Sequence, residues 1–135
     1  MKSVQTVYNS TSQTVLTTGS TLQLLGNKCT NCGCSITTNS NSFTINNSGI
    51  YRFSADVTFT PTAAGTAVIQ LYKNGIALPC AIATLTVAES TTYTEHIETI
   101  LSVPVCCMLK PEFSIRITGV DGAVNNVGAN VSRLN

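Results

Sequence analysis

Residues 49–60, Gly-Ile-Tyr-Arg-Phe-Ser-Ala-Asp-Val-Thr-Phe-Thr, constrain the fold more than any other stretch. Every second residue from Tyr51 is apolar or aromatic: Tyr51, Phe53, Ala55, Val57 and Phe59. The intervening set, Arg52, Ser54, Asp56, Thr58 and Thr60, is polar throughout. A strand sends successive side chains to opposite faces, so this pattern predicts one dry face and one wet face. A helix would scatter the same aromatics around its circumference. Gly49 opens the strand, and Pro61 is expected to close it by removing a ladder donor.

The alternation recurs downstream. Ala67, Ile69 and Leu71 interleave with Val68, Gln70 and Tyr72, and Phe113, Ile115 and Ile117 interleave with Ser114, Arg116 and Thr118. Asn74-Gly75 is a strong hairpin signal, because both central residues of the tight turn take positive φ. The chain is expected to return over residues 76–78, stop at Pro79, and resume as a strand over 81–88. Residues 92–103 place Tyr93, Ile97, Leu101 and Val103 on one parity, interrupted by Glu95 and Thr99. Further strands are expected over 4–8, 14–16, 21–25, 35–37, 43–45 and 127–134, with 27–34 a turn-rich loop and 119–126 a turn. About nine or ten short strands without helical periodicity define an all-β chain, a sandwich or jelly roll. Residues 1–25 are either its first strands or an attachment arm, and residues 26–135 form the domain.

Composition bears on assembly. Only 10% of the 135 residues are charged, against ~25% in ordinary soluble domains, and there is no Trp. A surface with so little charge is weakly protected against association and costs little to desolvate. Much of the exterior is therefore expected to be covered by identical subunits, in an assembly that closes cyclically without open ends. A net charge of +1 and no cluster of Lys and Arg argue against nucleic-acid binding. No apolar run reaches the ~20 residues that cross a bilayer, and the first residues lack the apolar core of a signal peptide. The expectation is synthesis in a cytosol, with any exit by a route such as lysis.

The six cysteines are the sharpest local feature. Cys29, Cys32 and Cys34 have the spacing of a zinc knuckle, but no second paired unit or matching histidine completes it. Cys80, Cys106 and Cys107 are candidates for disulfides or free thiols, and reduced thiols at synthesis are the preferred reading. The only histidine, His96, shares a strand face with Glu98, which reads as a solvated polar face with a cross-strand pair. A nucleophile needs an adjacent base and an orienting group, and no such set, phosphate cradle or oxygen-rich calcium loop is visible. No enzyme, cofactor or metal is expected.

Ser48-Gly49-Ile50-Tyr51-Arg52-Phe53-Ser54-Ala55-Asp56-Val57 resembles the G-x-Y-x-F-x-x-x-V strand of the tumour necrosis factor and complement globular-head superfamily. Leu71-Tyr72-Lys73-Asn74-Gly75 is similar to that superfamily's L-x-K-N-G strand and turn, and Phe113 to Ile117 falls where its penultimate strand lies. Pro111-Glu112 replaces the usual G-D before that strand. The whole chain, including Tyr72-Lys73-Asn74-Gly75-Ile76-Ala77-Leu78-Pro79 and Val105-Cys106-Cys107, resembles virion structural proteins of phages and prophages of Firmicutes. The resemblance implies a ten-stranded jelly roll, trimeric about a three-fold axis, with no catalysis. Tyr51, Phe53, Val57, Phe59, Leu71, Phe113, Ile115 and Ile117 would define its core, and Asn74 and Gly75 its turn. It implies a role in display or attachment on a capsid, head fibre or fibre tip, with other virion proteins met through residues 1–25. A host-surface glycan or protein is a further expected partner. Two other roles fit the same fold: the trimeric head of a bacterial cell- or spore-surface protein, and a carbohydrate-binding tip of a phage tail.

Overall fold

The computed structural model describes residues 3–105 and 110–135. Cys106 and Cys107 lie outside the described residues. The described residues form twelve strands: β1 (Val4–Asn9), β2 (Gln13–Val15), β3 (Ser20–Thr21), β4 (Asn27–Cys32), β5 (Ile36–Thr38), β6 (Phe43–Ile45), β7 (Gly49–Pro61), β8 (Gly65–Lys73), β9 (Ile76–Val87), β10 (Tyr93–Val103), β11 (Glu112–Thr118) and β12 (Gly122–Arg133). The first sheet runs β10-β7-β12-β1-β4, with β2 also on β12, and the second runs β5-β6-β11-β8-β9, with β3 also on β11. All pairings are antiparallel, and β6 to β7, β7 to β8, β9 to β10 and the next two connections each cross between sheets. This is a jelly-roll sandwich.

The strand β7 lies inside the first sheet, paired with β10 on one side and β12 on the other. Tyr51, Phe53, Ala55, Val57 and Phe59 are all buried on its inner face. The second sheet faces them with Ile69 and Leu71 of β8 and Phe113, Ile115 and Ile117 of β11. Phe53 and Phe113 meet across the sandwich with ring centroids 4.4 Å apart and planes tilted by 34°. Such an aromatic pair adds to the hydrophobic gain of burial. The Tyr51 hydroxyl donates to the Asn47 carbonyl at 2.6 Å, so its polar end is satisfied.

Several local expectations give way to pairing. The stretch 27–34 is not a loop, because β4 extends the first sheet by pairing with β1. An edge strand wet on both faces carries no alternation, so its composition hid it. Pro79 does not end the return strand: β9 continues to Val87, and Pro79 sits in a bulge on the sheet edge. Proline is tolerated there because the missing N–H is needed only on a paired side. The Gln70 amide donates to the Leu78 carbonyl at 2.9 Å and ties the bulge down. The last strand starts at Gly122 and absorbs Asn125 as a bulge, with the Asn125 amide donating to Thr60 Oγ1. In the expected 21–25 strand only Thr21 is strand, while Leu22 and Leu24 drop into the core as buried plugs.

Residues 4–25 contribute to both sheets. β1 runs between β12 and β4, and Val7, Val15, Leu22 and Leu24 are fully or almost fully buried. Gln5 is buried as well: its amide donates to Asn31 Oδ1 at 2.6 Å, and its carbonyl oxygen accepts from the Thr38 hydroxyl at 3.1 Å. It therefore stitches the two sheets together. At the Asn74-Gly75 turn φ is +51° and +80°. Asn74 is bonded twice to Glu112, through Asn74 N–H to Glu112 O at 2.8 Å and Glu112 N–H to Asn74 Oδ1 at 2.9 Å.

Candidate functional site

Because the inner faces fill the core, the outer face of the first sheet holds whatever β10, β7, β12 and β1 place at the other parity. Register sets these side chains in rows across the sheet. His96 stands beside Asp56, Asp56 beside Gly128, and Gly128 beside Tyr8. The next row is Glu98, Ser54, Asn130 and Thr6, and the one after is Ile100, Arg52, Ser132 and Val4. In the opposite direction come Thr94, Thr58 and Asn126.

The rows differ in chemistry. His96 Nδ1 lies 2.8 Å from Asp56 Oδ1, and its Nε2 lies 3.3 Å from Glu98 Oε1. The hydrogen bond to Asp56 is the main reason the imidazole holds its proton above its ordinary pKa; desolvation works against it, and the Glu98 carboxylate adds to the rise. All three side chains are about half exposed. Thr58 and Thr94 hydroxyls pair at 2.9 Å, as do Thr60 and Thr92. Asn130 donates to Thr6 Oγ1 at 2.6 Å. At the far end Ile50 and Ile100 are exposed at 38% and 57%, and Tyr8 is exposed at 37% beside Gly128. The face thus carries rows of small hydroxyl and amide side chains, one cluster in which a single imidazole meets two carboxylates, scattered apolar points, and a shallow dip of about 200 Å³ over Ser54, Gly128 and Asn130 beside Tyr8.

The singled-out thiols do not converge. Cys29 is the unpaired residue of the β4 bulge, Cys32 lies opposite Val4, and Cys34 follows the left-handed Gly33; all are exposed and free. Cys80 is exposed in the β9 bulge. Among the described residues no three His, Cys, Asp or Glu side chains are grouped to hold a metal ion. Among the described residues the hydrogen-bond partners of His96 are the carboxylates of Asp56 and Glu98, and no hydroxyl or thiol is bonded to it. Asp56 as the third member of the cluster could have been found in the sequence only by fixing the β7–β10 register.

No protein-family model matches the chain, and no curated protein does. Solved structures do. The chain is similar to murine APRIL in its crystal structure at pH 5.0, with a TM-score of 0.73 and 10% identity over 99% of this chain and 100% of that one. It is similar to PRD1 vertex protein P5, with a TM-score of 0.70 and 13% identity over 98% and 97% of the two chains. The globular domain of the zebrafish complement 1qA protein gives a TM-score of 0.65 and 11% identity over 99% and 97%. The fold is therefore a jelly roll of the tumour necrosis factor and complement globular-head type.

Proposed function

We propose that the chain is a non-enzymatic structural protein of a phage virion exterior that works as a homotrimer in display or attachment. Its place would be a capsid decoration, a head fibre or a fibre tip. The observation that carries the assembly half is the outer face of the first sheet. Gly128, Ser132, Thr6 and Ser54 keep that face low, and Tyr8, Ile50 and Ile100 give it apolar points to bury. Its charges are few, and His96 is held between two carboxylates. Little ion desolvation opposes contact with a second copy. The virion half is supported by the likeness, over nearly the whole chain, to a protein named for a phage vertex. Contacts with other virion proteins would fall to exposed parts of residues 1–25, where Leu16 and Leu25 stand out from the sandwich.

Light scattering coupled to size exclusion tests the assembly. The expected mass is three times the 14.2 kDa of the chain, and Ile100→Arg is expected to reduce it to that of the monomer. A wild-type monomer at micromolar concentration would sink the trimer. Gold labelling of purified particles tests the location, and particles without label would remove the virion reading.

A further inference from the structure

We propose that a hollow on the outer face of the second sheet binds a neutral carbohydrate. β6 and β3 pair with the same flank of β11 at different places, β6 at Glu112 and Phe113 and β3 at Arg116 and Ile117. The outward Ser114 between them is left without a strand neighbour on that flank. The result is a hollow of about 220 Å³ lined by Thr21, Asn41, Ser42, Asn74, Glu112 and Ser114, with Gly75 at its rim. Separate segments deliver these groups: β3, the β5–β6 turn, the β8–β9 hairpin and β11.

The lining is built for hydroxyl groups. Asn74 Oδ1 is taken by the Glu112 N–H, which leaves the Asn74 amide as a donor held in place by the turn. Ser42 Oγ accepts from the Asn39 amide at 3.1 Å, so its own hydrogen is free to donate. The side chains of Thr21, Asn41 and Ser114 make no hydrogen bond to other described residues. Glu112 is the only charged group in the lining, and its carboxylate has one long contact, 3.5 Å to the Thr44 hydroxyl. A carboxylate with amide and hydroxyl neighbours accepts and donates to the adjacent hydroxyls of a sugar ring. Tyr72, directly across from Ser114 on β8, stands at the margin with the Arg116 guanidinium 5.3 Å from its ring centroid.

Other occupants fit less well. A calcium ion wants six to eight oxygens and usually several carboxylates, where the hollow has one. Phosphate, sulfate and acidic sugars would meet the Glu112 charge with no cation in the lining. The volume lies below the ~300–1,000 Å³ of drug-sized sites, so a single sugar unit at the end of a longer chain is the expected guest. The use of such a site in attachment rests on the function proposed above. The hollow lies on the second sheet, away from the face proposed above for assembly.

Nuclear magnetic resonance titration of the full chain with glucose, galactose, N-acetylglucosamine and N-acetylneuraminate tests the proposal. At least one neutral sugar should shift the amide signals of Thr21, Asn41, Asn74, Glu112 and Ser114 at millimolar concentration. Asn41→Trp, which fills the hollow from a surface turn, should weaken that binding tenfold or more, and Glu112→Gln should weaken it several-fold. Light scattering on the same samples reads assembly separately, so a trimer that binds no sugar and a monomer that still binds one count against different readings. No shift with any neutral sugar, full binding by Asn41→Trp, or a preference for N-acetylneuraminate overturns the site.

Discussion

The two sheets bury similar inner faces but present different outer ones. The first sheet presents unbroken rows across β10, β7, β12 and β1, with a shallow dip of about 200 Å³ where Gly128 and Ser54 stand low beside Tyr8 and Asp56. The second sheet is interrupted, because β3 and β6 are too short to cover β11 between them. Unbroken rows suit contact with another large surface, whereas an interrupted sheet gathers polar groups from separate segments around a small guest. The difference comes from strand length and register rather than from hydrophobicity. Both outer faces are rich in Thr, Ser and Asn, so composition alone would not separate them.

The largest effect is expected where the first sheet depends on its N-terminal strand. A chain starting at residue 26 loses Val7, Val15, Leu22 and Leu24 from the core and leaves β12 unpaired on one side. At ~1.5–3 kcal/mol for each buried side chain, the loss approaches the whole ~5–15 kcal/mol that holds a domain together. Circular dichroism should show an unfolded chain; a folded one would mean that residues 1–25 are an arm after all. Next comes Phe53→Ala, which should cost ~3–5 kcal/mol in urea denaturation by opening a cavity against Phe113. The outward Thr94→Ala on the same sheet should stay within ~0.5 kcal/mol. Equal effects would mean that the inner and outer faces have been exchanged. Gln5→Ala should fall between, at ~1–3 kcal/mol, because it strands the Asn31 and Thr38 partners at the junction of the sheets.

The sequence made the inner faces of β7, β8 and β11 readable because burial on one side of a strand enforces strict alternation. It made the Asn74-Gly75 turn readable because few residues accept positive φ. Its failures share a cause. β4, the Pro79 stretch of β9 and the first residues of β12 are edge or bulged segments, where backbone pairing forms without an apolar stripe. Gln5 falls in the strand expected over 4–8, and it is buried because two partners from different strands satisfy its amide. The outer surfaces were the least readable part. His96 and Glu98 share a parity in the sequence, but Asp56 joins them only through the β7–β10 register. The hollow on the second sheet needs distant segments to converge, and no local pattern announces that.

The smallest effect distinguishes the two outer faces by pH. His96 faces Asp56 on β7 and Glu98 on its own strand; Arg52 lies two rows away, opposite Ile100. Its pKa is raised in the folded chain, chiefly by the hydrogen bond to Asp56, so the native state holds a proton that the unfolded chain releases near pH ~6.5. Stability from the cluster is therefore fully present below that pH and is lost as pH rises through the higher folded value. The side chains are about half exposed, so solvent screening limits the effect to roughly 0.2–1 kcal/mol. Denaturation at pH 5.5 and 8.5 should show the decline in wild type, and His96→Gln should flatten it. Asn41→Trp, on the second sheet, should leave the slope unchanged, since no histidine lies there. A slope that survives His96→Gln would place the titrating group elsewhere and remove the ionic cluster as the mark that sets the first sheet apart.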